Sequence, residues 1–330
     1  ADFSMFRVDA DANGNPAEYS KDNVPLQPKH HLPVSIKGVE ENDFAMILGY
    51  PGRTNRWMPA GGIEQNVKFA YPAWVEGAKT GMDVMKRYMD KDETVKLEYA
   101  SKYASTANYW KNRQGMIDAL TKAGTAKTKE KEEAKFNAWA NKKANKAKYG
   151  KVITTINDYY AQTNLKTSHD NYLSQLIRTS AYGGVPANIG NSLIAYYKEN
   201  EAKRKEILPR LNGLIENVYG KFHAPLEKDV FAAQLNLYTS KGAAYGLPEG
   251  VARLKEENKG DFTSYINNAV AKSIFATKES VLAFMRDPKP ENIVNDPLYV
   301  VSNELLVKMR ARSAEQVKAA DDFEIAFRNL

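Results

Sequence analysis

The chain has 330 residues, 43% hydrophobic and 11% aromatic, enough to bury the core of one large domain or two ordinary ones. It has no Cys, which excludes disulfides, thiolate zinc sites and cysteine nucleophiles. No apolar run is long enough to span a bilayer, and residues 1–20 are too polar for a secretory leader. The net charge of +7 is concentrated in residues 127–151, where nine Lys stand against three Glu. Such a stripe can bind phosphate backbones. It holds no Arg, and only Phe136, Trp139 and Tyr149 as aromatics, so the expected reading is the solvated face of a helix.

Asp2 to Val8 alternates polar and apolar residues with no Gly or Pro inside, the pattern of a half-buried strand headed by an acid. The chain does not open on Met, and Ala1 leads straight into this strand, so a segment of a longer protein is expected. Asn13-Gly14-Asn15-Pro16 reads as a turn, and Val24 to Pro33, with three Pro, as extended coil. Val34 to Lys37 alternates again, and Phe44 to Leu48 is a continuous apolar run, as in a strand buried on both faces. Three such strands cannot close a sheet alone and call for partners from outside this stretch. Gly49-Tyr50-Pro51-Gly52-Arg53 lacks the Lys-Ser/Thr ending of a phosphate loop and reads as a strand-end turn.

From residue 61 the pattern is helical. Val75, Ala78, Met82, Met85 and Met89 recur at helical spacing. Asp90 and Glu93 read as a capping box for the next helix, which Gly124 ends. Its apolar side carries Val95, Tyr99, Tyr103, Trp110, Ile117 and Leu120. Residues 125–149 read as a charged helix projecting as one arm of a hairpin. Further helices are expected over 151–164, 167–180, 187–219, 226–241, 248–258, 261–273 and 278–286. Asn295 or Asp296 caps a last helix opened by Pro297. Gly183-Gly184-Val185-Pro186 reads as punctuation between helices. The Gly61-Gly62 pair suggests a hinge within residues 57–72. His30 and His31 sit in Pro-bounded coil with no further ligands at helical spacing, so neither a metal nor a cofactor is expected. His169-Asp170 and His223 have no nearby Ser in a strand-turn-helix setting.

Two blocks are distinctive together. One is D-F-S-M-F-R-V at 2–8 with L-P-V-S-I-K-G at 32–38 and D-F-A-M-I-L-G-Y-P-G-R-T-N-R at 43–56. The other is Y-A-S-K-Y-A-S-T-A-N-Y-W-K-N-R-Q-G-M at 99–116. Over its full length the chain resembles the bacterial dipeptidyl-peptidases of types 7 and 11. These are chymotrypsin-clan serine exopeptidases with a large helical domain inserted in a double β-barrel. The resemblance implies a mainly α fold, with residues 1–60 a fragment of the β-barrel and 61–330 the helical cap. It places the catalytic Asp on Asp2, although Ala1 stands where the family has Gly; without the resemblance Asp2 is an ordinary solvated acid. The catalytic His lies upstream of this strand in the family and the nucleophilic Ser far downstream, at a G-N-S-G-type turn. No such string occurs here, so the segment alone is expected to be inactive.

A dipeptidyl-peptidase must hold the α-ammonium of its substrate about 7 Å of extended chain from the scissile bond. The family uses an Asn on a long helix for this. The match is Asn108, with Asn112 one turn on as second candidate; otherwise both are polar residues of a helix surface. Trp110 is assigned to the core. The implied partner is a peptide with a free N-terminus, with no nucleic acid. A homodimer and a periplasmic or secreted location are implied by the resemblance alone. The alternative is a basic α-helical interaction module, without catalytic role, that binds nucleic acid or protein through 127–151.

Overall fold

Backbone outside a helix needs a paired strand or water for every N–H and C=O. This requirement separates the two units into which the chain divides, Ala1–Thr54 and Asn55–Leu330. The computed structural model describes residues 5–46, 48–50, 55 and 57–330.

In the first unit one short antiparallel ladder forms. β1 (Asp9–Ala10) pairs with β2 (Val24–Pro25), in the register Asp9 to Pro25 and Ala10 to Val24. The N–H of Leu26 adds a bond to the carbonyl of Val8 at 2.9 Å. An Asx turn closes the loop between them. Asp11 Oδ1 accepts from the N–H groups of Asn13 and Asn15, both at 2.8 Å, and Gly14 takes φ +80°. The strands expected over 34–37 and 44–48 form no ladder among the described residues. Phe6, Ile36 and Phe44 stand 91%, 99% and 89% exposed. The alternation is there, but no neighbouring strand offers its polar groups, so the pattern has no sheet face on which to bury. Asp2 and the head of the first expected strand lie outside the described residues.

In the second unit the helices run in chain order. They begin with α1 (Ala60–Gln65), which passes through a π-helical segment, Asn66–Ala70, into α2 (Tyr71–Met89). α3 (Glu93–Lys122), α4 (Thr125–Ala140), α5 (Lys146–Tyr149) and α6 (Val152–Thr179) follow. Then come α7 (Ala181–Lys198), α8 (Glu201–Tyr219), α9 (Ala224–Lys241) and α10 (Glu249–Glu257). The chain closes with α11 (Thr263–Lys272), α12 (Lys278–Arg286), α13 (Pro297–Arg310) and α14 (Ala314–Phe327). The mainly α fold expected from the sequence is what forms.

Side-chain caps set the starts of six helices, α3, α8, α9, α12, α13 and α14. Asp92, not the expected Asp90–Glu93 pair, opens α3: its Oδ1 accepts from Thr94 N–H at 2.7 Å and Val95 N–H at 3.2 Å. Asp90 instead closes α2, its N–H bonded to the Lys86 carbonyl at 2.9 Å. Asp296 caps α13 with bonds to the Leu298 and Tyr299 N–H groups, both at 3.0 Å, and Pro297 stands at N1. α14 went unpredicted, though Ser313 and Gln316 form a capping box at its start.

Three expected breaks move for packing reasons. Val152–Thr179 form one helix, α6, because nothing at Leu165-Lys166 interrupts it. Gly183, Gly184 and Pro186 lie inside α7 rather than between helices. A Cβ on Gly183 would stand 2.3 Å from the Leu176 carbonyl oxygen, and one on Gly184 2.8 Å from Ile177 Cγ2. The glycines let α7 lie against the end of α6. The Gly61-Gly62 pair is likewise helical and tight against Tyr160. α4 stops at Ala140 and lies along α1 rather than projecting. Buried Glu133 accepts from the Ala60 N–H at 2.6 Å and caps α1 across the interface.

α6 is central, packed by α2, α7, α9, α13 and α14. Leu173, Leu176, Phe231, Leu235, Tyr238 and Leu305 fill the largest core cluster, each fully buried. A smaller one joins Val84 and Met85 of α2, Val95 and Tyr99 of α3, and Leu226 and Val230 of α9. It fixes the first two turns of α3. Beyond them α3 continues with half-buried and exposed residues.

Candidate functional site

α3 is 30 residues, about 45 Å long at 1.5 Å per residue. Asn108 and Asn112 sit in its second half, one turn apart and both exposed. In helical projection Asn112 falls between Ser101 and Ser105, and Asn108 at the margin of the same face. Trp110 is half-buried, and its indole N–H is buried without a partner among the described residues. Asp2 lies outside the described residues.

The face of α3 that carries Lys102, Ser105, Tyr109 and Arg113 opens toward the junction of α6 and α7. Two adjoining clefts lie there, about 580 and 350 Å³, sharing Lys102, Ser105 and Arg178. The larger one reaches Ser180, Lys221 and Glu227. The smaller is walled by Trp74, Tyr109, Arg113 and Gln175.

Glu227 is the electrostatic anchor of these walls. It is 2% exposed, yet every one of its donors is in place. Oε1 accepts from Tyr99 Oη at 2.9 Å and Lys102 Nζ at 3.0 Å, and Oε2 from the Ala181 N–H at 2.7 Å. The carboxylate thus sits at the N-terminus of α7, where the helix dipole favours an anion. Tyr99 Oη accepts from the His223 N–H at 3.1 Å. Burial, then the charge of Glu227, holds the Tyr99 phenol far above its usual range, so it stays a donor. One side chain therefore ties α3, α7 and α9.

Three cations on the groove, Arg113, Arg178 and Lys221, have no carboxylate partner among the described residues. Arg113 lies over Trp74 at 3.9 Å from the ring centroid and over Tyr109 at 5.6 Å, and burial pulls its pKa below the ordinary guanidinium value. Arg178, at the shared wall, is exposed. Ser180 is 1% exposed, stands at the N-cap of α7 without making the cap bond, and its hydroxyl has no partner among the described residues. None of these was marked by sequence reasoning. Residues 178 and 227 carry no local motif, Arg113 falls inside the 99–116 block without being singled out there, and only packing of α3 against the α6–α7 junction brings the three together.

Other flagged residues are engaged elsewhere. His169, 2% exposed, bonds Asp170 Oδ1 through Nδ1 and Tyr238 Oη through Nε2, both at 2.9 Å, a closed core network. His223 Nδ1 caps α9 by accepting from the Leu226 N–H at 3.2 Å. Phe136, Trp139 and Tyr149 of the basic stretch pack on one another, with centroids 5.0 to 6.5 Å apart. Among the described residues no three His, Asp or Glu side chains gather as a metal site, and no helix is long and apolar enough to cross a membrane.

The sequence matches the peptidase S46 family over residues 1–329. It is 44% identical over 328 residues to a dipeptidyl-peptidase 7 of Capnocytophaga gingivalis, covering 99% of this chain and 45% of that protein. To an Asp/Glu-specific dipeptidyl-peptidase of the same organism it is 32% identical over 299 residues, covering 89% of this chain and 41% of that one. Among solved structures, Porphyromonas endodontalis DPP11 in complex with the dipeptide Arg-Glu superposes with a TM-score of 0.73 at 28% identity, covering 97% of this chain and 46% of that one. The chain spans less than half the length of these relatives.

Proposed function

The chain belongs to the peptidase S46 family, and from that membership we propose that it forms part of a serine-type dipeptidyl-peptidase releasing dipeptides from the free N-terminus of peptides. The observation that carries this reading is the match over residues 1–329, shared with relatives named as dipeptidyl-peptidases of two specificities. Residues 1–60 belong to the double β-barrel of the peptidase domain and 61–330 form the helical cap. Bare apolar side chains at Phe6, Ile36 and Phe44 support the first assignment: the first two stand in alternating stretches and the third in a continuous apolar run, and all need strands from the rest of the protein to cover them.

In this reading Asp2 accepts the Nδ1–H of a His supplied by the remainder of the protein and stabilises the imidazolium. That His takes the proton of the Ser hydroxyl as the oxygen attacks the scissile carbonyl. It then returns the proton to the leaving amine, and water hydrolyses the acyl-enzyme. Asn108 accepts a hydrogen bond from the substrate α-ammonium through its amide oxygen, with Asn112 beside it. A neutral acceptor holds the cation without burying a second charge. Exposure of both amides on one face of α3 supports their availability. The parent works as a homodimer in the periplasm or outside the cell.

The test uses the full-length enzyme and two dipeptidyl substrates, one with a free amine and one N-acetylated. The free-amine substrate is expected to be cleaved and the acetylated one refused. Equal cleavage of the two removes the exopeptidase reading.

A further inference from the structure

We propose that the groove between α3 and the α6–α7 junction is a binding site for an extended acidic peptide segment, separate from the capture of a substrate N-terminus. It deepens the peptidase reading by adding a second hold on a polypeptide substrate.

The shape of the groove selects an extended chain. From Glu98 to Arg113 it follows α3 for 15 residues, about 22 Å at 1.5 Å per residue. That matches about six or seven residues of extended peptide at 3.3 Å each, and far exceeds a single phosphate or carboxylate.

The charge selects acidic side chains. Glu227 is already neutralised in place by Lys102 and two neutral donors. Arg113, Arg178 and Lys221 then remain as cations without a carboxylate partner among the described residues, against one further lining carboxylate, Glu98. The Arg113 guanidinium lies 3.9 Å from the Trp74 ring centroid on the cleft wall, and a guanidinium can take a carboxylate through two parallel bonds.

The unused polar atom is the independent observation. A Ser at an N-cap normally gives its oxygen to the first turn of its helix. Ser180 does not; the Gly183 N–H at N3 goes to the Ser180 backbone carbonyl at 3.2 Å instead. Its hydroxyl is buried beside the larger cleft with no partner among the described residues. Such a group is rare without a ligand or water to satisfy it. A peptide carbonyl or carboxylate laid along the groove accepts from it.

The 330-residue chain is titrated by calorimetry with an N-acetylated, C-amidated oligo-glutamate of about six residues, the length the groove accommodates at 3.3 Å each. Oligo-glutamine of equal length and inorganic phosphate are the controls. The acidic peptide is expected to bind about tenfold or more tightly than the glutamine peptide, the scale of one charge-assisted bond. Arg178→Gln and Arg113→Gln are each expected to weaken it about tenfold on the same scale. Ser180→Ala should weaken it less. Arg178 is exposed, so its replacement leaves the core intact, and Arg113→Lys keeps the charge while removing the stacked fork. Equal binding of the glutamine peptide, phosphate binding as tightly as the peptide, or indifference to Arg178→Gln each overturns the proposal. Because the probe has no free amine, a failure of the exopeptidase reading leaves this result standing, and the reverse.

Discussion

Replacing Glu227 by Ala removes one carboxylate and strands three donors at once. Breaking a buried ion pair from one side costs about 3–5 kcal/mol when the remaining charge is trapped. Lys102 is not fully trapped, since its side chain is 35% exposed and its ammonium can turn to water, which lowers that share. The Ala181 N–H and the Tyr99 hydroxyl are less able to escape, and each unsatisfied donor costs about 1–3 kcal/mol. Tyr99 still accepts from His223, so its hydroxyl loses one bond of two. The sum points to a loss of about 3 kcal/mol for Glu227→Ala. For Glu227→Gln it points to about 1–2 kcal/mol, because the amide keeps one acceptor but turns its NH₂ toward a donor. Lys102→Met alone should cost about 1 kcal/mol, and less in combination with Glu227→Ala than in the parent background. Urea unfolding followed by far-ultraviolet circular dichroism measures the parent and all four variants. A Glu227→Ala midpoint indistinguishable from the parent refutes the reasoning, because it means the three bonds contribute nothing net.

Four further expectations test other links. In the full-length enzyme Asn108→Ala should cut kcat/KM for free-amine peptides by about tenfold to a hundredfold, the worth of one hydrogen bond to a charge, with Asn112→Ala milder; unchanged kinetics remove Asn108 from the site. Gly183→Ala should destabilise by about 1–3 kcal/mol by forcing a methyl onto the Leu176 carbonyl. Gly115→Ala, mid-helix with open space around it, should stabilise by about 0.5–1 kcal/mol, and thermal melts showing the same sign for both would contradict the packing argument. Tyr160 and Tyr265 are pushed up to about 12, chiefly by burial, so the native state keeps protons that the unfolded chain releases near the ordinary phenol value of about 10. Stability is therefore full below about pH 10 and falls as pH rises toward 12, which urea midpoints on either side of about pH 10 will show or deny. A short DNA duplex at low salt should bind no more tightly than to any weakly basic surface, because the aromatics near the Lys stripe are spent on one another; tight, salt-steep anisotropy would restore the interaction-module alternative.

Some of this was legible from local chemistry. Asp296-Pro297 opened a helix where a cap followed by N1 proline must. Gly124 turned the chain at φ +61° just past Lys122, and residues 278–286 formed the helix their pattern predicts. Asn108 and Asn112 could be placed on one exposed face because helical spacing alone determines that. Errors arose where a residue type has two uses. Gly183-Gly184 reads as a turn because glycine permits one, and serves close packing because glycine also lacks a Cβ. Asp90 and Asp92 are equally good caps in sequence, and the length of α2 chooses between them.

What the sequence determined by itself is whatever depends on neighbours within a turn or two: the helical class, most helix starts, the basic stripe, and the motif blocks that tie the chain to its family. What only the tertiary structure decided is the groove and its anchor. Glu227 has meaning through Tyr99, Lys102 and Ala181, which stand 128, 125 and 46 positions away. Electrostatics acts through space, whereas a sequence pattern records only separation along the chain. Strand formation shows the same limit from the other side, since residues 34–37 carry the alternation but a ladder requires a partner that no local pattern can supply.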